Sequence, residues 1–492
     1  MPRWISLVIA IALAAIVPAP AGAQTIIKTC GKVYGSVRLG ANLSTTAESC
    51  LDVQQSGITI DGANYRITAG TFAILVTEQS KVTIKNVVSS QGVQVYGPNA
   101  NDNVIQNSKL GPVAVYQGDR IKILKNTMQS LLLAGLYNDP VQDALVQDNL
   151  LQWTTIPSSK EKLFRLSTGS DATHLCAEGR HRVINNTLVG AISASVAASD
   201  PEAEARLLWI SCGRKLEIRG NTVQSPSGRA IGLLMRDEAD DNYIADNIFD
   251  LKESQAGNLL IQSGSEGYFH PRRNVFYNNR FKVGSGRAMN YQANNAWGNQ
   301  FQRNVFWTVG GTTESVRIAD GLYFDAVPAA NQGAYTVCSG NVCWLPEANN
   351  VFDHNTFYHG GTGALIVFRE LGASMDPYYD PRRESTRSIP PRQHLTNNIF
   401  STSGSELYGF DTLINVFGYD GDYNLFQSRS SVAAPSSLQA LGLDVHSFVA
   451  NPRFVSSATG NFNLCSGSAA IGKGASGSDV GAFPYSPLTR CK

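Results

Sequence analysis

Five short segments end in polar groups of the kind that handle an anion. They are Ile231-Gly-Leu-Leu-Met-Arg236-Asp237, Leu259-Leu-Ile-Gln262, Met289-Asn290-Tyr291-Gln292, Val316-Arg317-Ile-Ala-Asp320 and Ile366-Val-Phe-Arg369-Glu370. Stacked as neighbouring strands about 4.8 Å apart, they would range Arg236, Gln262, Gln292, Arg317 and Arg369 along one groove. That is the footprint of a linear anionic chain, with Asn290 and Tyr291 extending the polar lining. Asp237, Asp320 and Glu370 would orient the guanidiniums by bidentate pairing. Solvated Arg–carboxylate pairs on an ordinary sheet face would give the same pattern. His270, in Glu266-Gly-Tyr268-Phe-His-Pro-Arg272-Arg273, is the candidate general acid or base. His174 and His181 lie in and beside the first long insertion. The acidic run Asp237-Glu238-Ala-Asp240-Asp241 offers hard oxygen ligands to Ca²⁺ through Asp237, Asp240 and Asp241, or simply a solvated corner.

What must position these groups is a repeat. Short alternating apolar runs are interrupted by one Asn, with an apolar residue two places on: Asn86, Asn107, Asn126, Asn149, Asn186, Asn221, Asn247, Asn279, Asn304, Asn355, Asn398 and Asn424. The closest spacings are 21, 19, 23, 26, 25 and 26 residues, about one turn of a β-solenoid. Alternation marks strands, and Asn marks a sharp corner where it tolerates a left-handed backbone and can stack in an amide ladder. Phe249, Phe281, Phe306, Phe357, Phe400 and Phe426, each two residues past an Asn, would point inward and stack. A β-sandwich does not hold such a register along a whole chain, and no leucine-rich frame recurs. The expected fold is all-β, a right-handed parallel β-helix.

Along the chain, Met1–Ala23 has a charged start, a short apolar run and Ala21-Gly22-Ala23, the pattern of a cleaved secretory signal. No later stretch is apolar enough for an integral membrane segment, so the expected location is secreted or periplasmic. Residues 24–57 read as an N-terminal cap, 58–426 as the β-helix and 427–492 as a C-terminal capping segment. Longer spacings place insertions near 152–180, 193–208, 320–349 and 371–393, where a binding face is expected to collect. Eight cysteines fall in local couples, Cys30/Cys50, Cys176/Cys212, Cys338/Cys343 and Cys465/Cys491. Near neighbours pair most readily in a solenoid, whose coils touch only adjacent coils. Lys+Arg 40 against Asp+Glu 39 leaves no basic field for nucleic acid and no polybasic membrane patch.

Past residue 427 the period is lost. Tyr423-Asn-Leu-Phe, Asn451-Pro-Arg-Phe-Val, Gly460-Asn-Phe-Asn-Leu, Ser466-Gly-Ser-Ala-Ala-Ile-Gly and Asp479-Val-Gly-Ala-Phe resemble the closing motifs of secreted bacterial β-helix proteins of the pectin-lyase-like superfamily. Ile58-Thr-Ile-Asp-Gly and the Asn-x-Phe coils match the same superfamily's repeats. The resemblance implies an acidic polysaccharide as partner and β-elimination, hydrolysis or C5-epimerisation as chemistry, with a lyase first. Non-catalytic polysaccharide binding and a structural role remain open beside it. Tyr378 and Tyr379 in the loop Asp376-Pro-Tyr-Tyr-Asp380 would then stack on sugar C–H faces. The Asp-Asp…Gly-His frame of polygalacturonase-like hydrolases, the Trp-Ile-Asp-His run of pectate lyases and the Asp-Pro-His-Asp run of alginate epimerases are all absent. No catalytic residue transfers by motif.

Overall fold

The computed structural model describes residues 24–135, 140–158, 161–168, 176–200, 203–262, 271–292, 298–319, 337–339, 342–344, 350–369, 393–404, 407–410, 419–428, 434–440, 442–489 and 491. Each coil contributes three short strands. One coil runs Thr59–Asp61, Arg66–Thr68, Phe72–Thr77, and the next repeats it as Thr83–Lys85, Val88–Ser89, Gly92–Tyr96. Equivalent strands pair in parallel from coil to coil. The first sheet holds 15 strands, from Thr25–Ile27 to Tyr419–Asp422. The second and third sheets are joined by Thr222–Arg236, a 15-residue strand that runs from one into the other without a turn. The fold is therefore a right-handed parallel β-helix, with coil connections of the hand that twisted parallel strands favour.

Two amide ladders hold the corners. Where the first sheet turns into the second, Asn126, Asn149, Asn186, Asn221, Asn247, Asn279, Asn304, Asn355, Asn398 and Asn424 hand a side-chain hydrogen bond from coil to coil at 2.9–3.2 Å. Each Oδ1 also accepts the preceding Asn's backbone N–H, and Nδ2 donates to a carbonyl such as Ile244 O, 2.8 Å from Asn279. The buried amide is thus fully satisfied, as burial demands. The expectation needs two corrections. The left-handed residue is the one before the laddered Asn, such as Asp246 (φ 56) or Asn278 (φ 53). Asn86 and Asn107 are themselves left-handed, and the ladder position there belongs to Val87 and Ser108.

The second ladder, at the corner from the third sheet back to the first, joins Asn242, Asn274, Asn299 and Asn350. His181 takes this corner in an earlier coil, its Nδ1 accepting the Ala144 N–H at 3.1 Å. The imidazole is fully buried, and burial pushes its pKa down to about 4. A folded value below the ordinary one favours the neutral ring, so its stabilisation is complete above about pH 6.5 and is lost as pH falls toward 4. A loss of about 3 kcal/mol over that window is expected from this group. His181→Asn, which installs the residue used two turns later at Asn242, is expected to flatten the urea-midpoint profile there; an unchanged profile would refute the assignment.

Inside the coils the aromatic column forms as the Asn+2 spacing requires. Phe249, Phe281, Phe306, Phe357, Phe400 and Phe426 stack at centroid distances of 4.8, 5.3, 5.0, 5.0 and 5.2 Å. A parallel column of Phe276, Phe301 and Phe352 lines the first sheet.

The ends differ from expectation. Thr25–Ile27 already pairs with Val37–Leu39 in the first sheet, and Gly31–Val33 with Ser49–Val53 in the third, so 24–57 is coil and no separate cap. The expected insertions 152–180 and 193–208 each contain a third-sheet strand, Lys162–Ser167 and Ala205–Ser211, and the second also holds a short helix, Ala194–Ser199. At the far end, Phe448–Val449 adds to the second sheet. The chain then doubles back as the hairpin Phe454–Ser456/Asn461–Leu464 and covers that sheet's outer face at Val305, Trp307 and Tyr358 through Phe462. Disulfides join Cys30–Cys50, Cys176–Cys212 and Cys465–Cys491. The backbone sets Cys338 opposite Cys343, with both side chains outside the described residues. Among the described residues no helix is long and apolar enough to cross a membrane.

Candidate functional site

The third sheet presents a broad outer face. Its inward row is Phe164, Leu208, Leu233, Leu259, Met289, Val316 and Ile366. Alternation then turns Arg165, Trp209, Leu234, Leu260, Asn290 and Arg317 outward in one row. Two residues further along each strand lies a second outward row, Ser167, Ser211, Arg236, Gln262 and Gln292. Lys162 and Arg206 face each other at the start of their strands.

The centre of this face is Trp209. Its indole is 9% exposed and packs with Ile231, Leu234, Leu260 and Ala256. Lys162 Nζ lies 4.3 Å from the ring centroid, and the Arg165 and Arg206 guanidiniums at 5.0 and 5.3 Å. Cations over an indole face are held electrostatically and lose mobility. Burial, reinforced by the Arg236 charge, holds the Arg206 guanidinium below its ordinary range. Arg236 stands 3.9 Å from Asp237, whose carboxylate accepts the Ser211 hydroxyl. Three cations from two adjacent strands thus gather around one aromatic platform, and Arg236 on the next strand adds its charge beside Arg206.

The sequence-predicted residues divide. Arg236, Gln262 and Gln292 do stand side by side on successive strands. Arg317 falls in the neighbouring row, opposite Asn290, and is turned to Glu314, with Nε 2.6 Å from the carboxylate. Glu314 also takes Arg287 at 2.9 Å. Asn290 is on the outer face but buried, its Nδ2 bonded to Ala256 O. Tyr291 is inside the coil: strand alternation turns it inward, where its hydroxyl accepts from Asn299 Nδ2 at 3.0 Å, so it cannot touch a ligand on this face. Arg369 keeps its row by register, its side chain outside the described residues. His270, Asp320, Glu370, Tyr378 and Tyr379 also lie outside them. Asp240 and Asp241 sit at the corner into the first sheet, engaged by Arg272 at 2.8 Å and Arg273 at 2.6 Å. Among the described residues, no group of three or more His, Cys, Asp or Glu is arranged to hold a metal ion. Lys162, Arg165, Arg206 and Trp209 went unpredicted. Their signal was present in the matched runs Lys162-Leu-Phe-Arg165 and Arg206-Leu-Leu-Trp209.

A separate concavity of about 590 Å³ lies on the second sheet where the C-terminal hairpin stops, over Asp250, Lys282 and Trp307. It is remote from the Trp209 cluster in register, and its Asp250–Lys282 pair is closed at 2.9 Å.

The chain is, by its own parallel ladders, a right-handed β-helix bearing a cationic face on one sheet. No family model matches it, and no curated protein does. Among solved structures, a PL6 family polysaccharide lyase from Pseudopedobacter saltans aligns over 83% of this chain and 89% of its own, at 12% identity and a TM-score of 0.25.

Proposed function

We propose that this protein is a secreted, carbohydrate-active β-helix that binds an acidic polysaccharide along the third sheet and cleaves it by β-elimination. The observation that carries the reading is the gathering of Lys162, Arg165 and Arg206 around Trp209, with the Arg236 charge beside Arg206 on the same face. In that reaction a guanidinium first neutralises the uronate carboxylate, which acidifies the C5 proton. A base removes that proton, the C5 electron pair forms the C4=C5 bond, and the C4–O4 bond breaks as O4 gains a proton. Arg165 and Arg236 suit the first task, being planar donors matched to a carboxylate. Arg206 is the candidate for the second, because burial and the neighbouring Arg236 charge hold its guanidinium below the ordinary range. Gln262 and Gln292 continue the row beside Arg236 and would hydrogen-bond sugar hydroxyls further along the groove.

The product's double bond is conjugated to the carboxylate, so absorbance at about 235 nm follows the reaction. The mature protein, incubated with polygalacturonate, alginate and other uronate polysaccharides with and without Ca²⁺, is expected to give a rising trace on at least one of them. A flat trace on all of them would sink the lyase reading. Retained binding in that case would point to non-catalytic capture, which the same cations also support, and hydrolysis or epimerisation would be tested next.

A further inference from the structure

Glu204 ends the long corner before the strand Ala205–Ser211 and is 5% exposed. Its two carboxylate oxygens accept the backbone N–H groups of Gln255, at 2.6 Å, and Ala256, at 2.8 Å. That turn lies two coils further on, before Leu259–Gln262. Each residue of the turn then holds part of the outer face. The Ala256 carbonyl accepts from Asn290 Nδ2. The Gln255 carbonyl accepts from Arg287, which shares Glu314 with Arg317. Ala256 also packs against the Trp209 cluster. One buried carboxylate therefore stands at the root of a continuous hydrogen-bonded chain that ends on two residues of the cationic face.

We propose that Glu204 is the positioning residue for the Asn290–Arg317 half of this face, holding it through the turn 255–257 when ionised and releasing it when protonated. This rests on the reading of the face as the polysaccharide site. An ionised carboxylate accepts both amides at once. A protonated one turns one oxygen into a donor facing an N–H, so one of the two bonds is lost. The charges facing Glu204 are Arg229, from the strand crossing between the sheets, and Arg287; Arg229 also reaches the Asp200 carbonyl, and Glu253 bonds the Gln255 side chain. Burial outweighs these and the two amides, and pushes the carboxyl up to about 7. Ordering therefore rises with pH through neutrality, a window in which guanidiniums and uronates keep their charge.

The test measures affinity for polygalacturonate and alginate from about pH 5.5 to 8.5 in the wild type and in Glu204→Gln, together with exchange of the Gln255 and Ala256 amides. Wild-type affinity is expected to rise about fivefold or more across neutrality, and Glu204→Gln to stay flat at the weaker level. The two amides are expected to lose protection below pH 7 relative to the core amide of Ile261. A pH-flat wild type, or a variant that keeps the rise, overturns the proposal. If neither protein binds a polyanion at any pH, the reading of the face has failed instead. The exchange profile then decides alone, pH-independent protection of the two amides refuting Glu204's role. The same wild-type profile serves if Glu204→Gln does not fold.

Discussion

Arg206→Ala is expected to lower kcat on a uronate polysaccharide by about 10²- to 10⁴-fold, the range a positioned base supplies, with KM moving far less. The reason is local. Arg206 is tethered over Trp209 and shares its surroundings with Arg236, so burial and a like charge together hold its guanidinium below the ordinary range. Arg236→Ala removes one of the two guanidiniums assigned to the uronate carboxylate, so it should raise KM as well as lower kcat. Initial rates followed by absorbance separate the two. A raised KM with kcat unchanged in both variants would show that these arginines only bind, and the base would have to be sought elsewhere on the face.

Asn279→Ala is expected to lower stability by about 3–6 kcal/mol, because it leaves two buried donors of Asn247 with no acceptor and removes two bonds of its own. The midpoint of urea unfolding, followed by circular dichroism, gives the number. Asn107→Gly is the control: that residue precedes the ladder and takes a left-handed backbone (φ 52), which glycine adopts freely. It should leave the midpoint almost unmoved. Similar losses at both positions would mean that the corner conformation, and not the amide ladder, holds the coils together.

The periodic part of this molecule is legible in its sequence because a corner that recurs must reuse the same chemistry. Asn247, Asn279, Asn304 and Asn355 mark one corner, and the Phe two places later falls into the core column. The phase slips where the chemistry is degenerate. Asn and Ser both accept a backbone N–H, so Ser108 takes the ladder while Asn107 takes the bend. The second ladder, Asn242 to Asn350, keeps the first ladder's spacings five residues upstream, but it is short, with His181 and Leu216 at its place in the coils before it. The candidate site was legible only in part, for two reasons. In Met289-Asn-Tyr-Gln every residue can face either way, and only strand pairing shows that Tyr291 points inward. The stretches 152–180 and 193–208 interrupt the Asn period and read as loops, yet a third-sheet strand lies in the first and begins in the second. Those two strands bring Lys162, Arg165, Arg206 and Trp209 together. Which residues meet across coils is set by the register between strands, and no local pattern states it.

The returning C-terminal hairpin gives this solenoid a definite order of completion. Coils from Thr59 onward can wind as they emerge, each laid on the one before. The coils carrying Val305, Trp307 and Tyr358 cannot finish that way, because their cover comes from residues near the end of the chain. Ala482 bonds back to Thr356 across 126 residues, and Ala475 to Asn397 across 78. Until the last segment arrives, the downstream half carries an open apolar flank. Its arrival closes the flank at once, and the Cys465–Cys491 bridge fastens it. A molecule built by repetition is thus finished by the one segment that does not repeat.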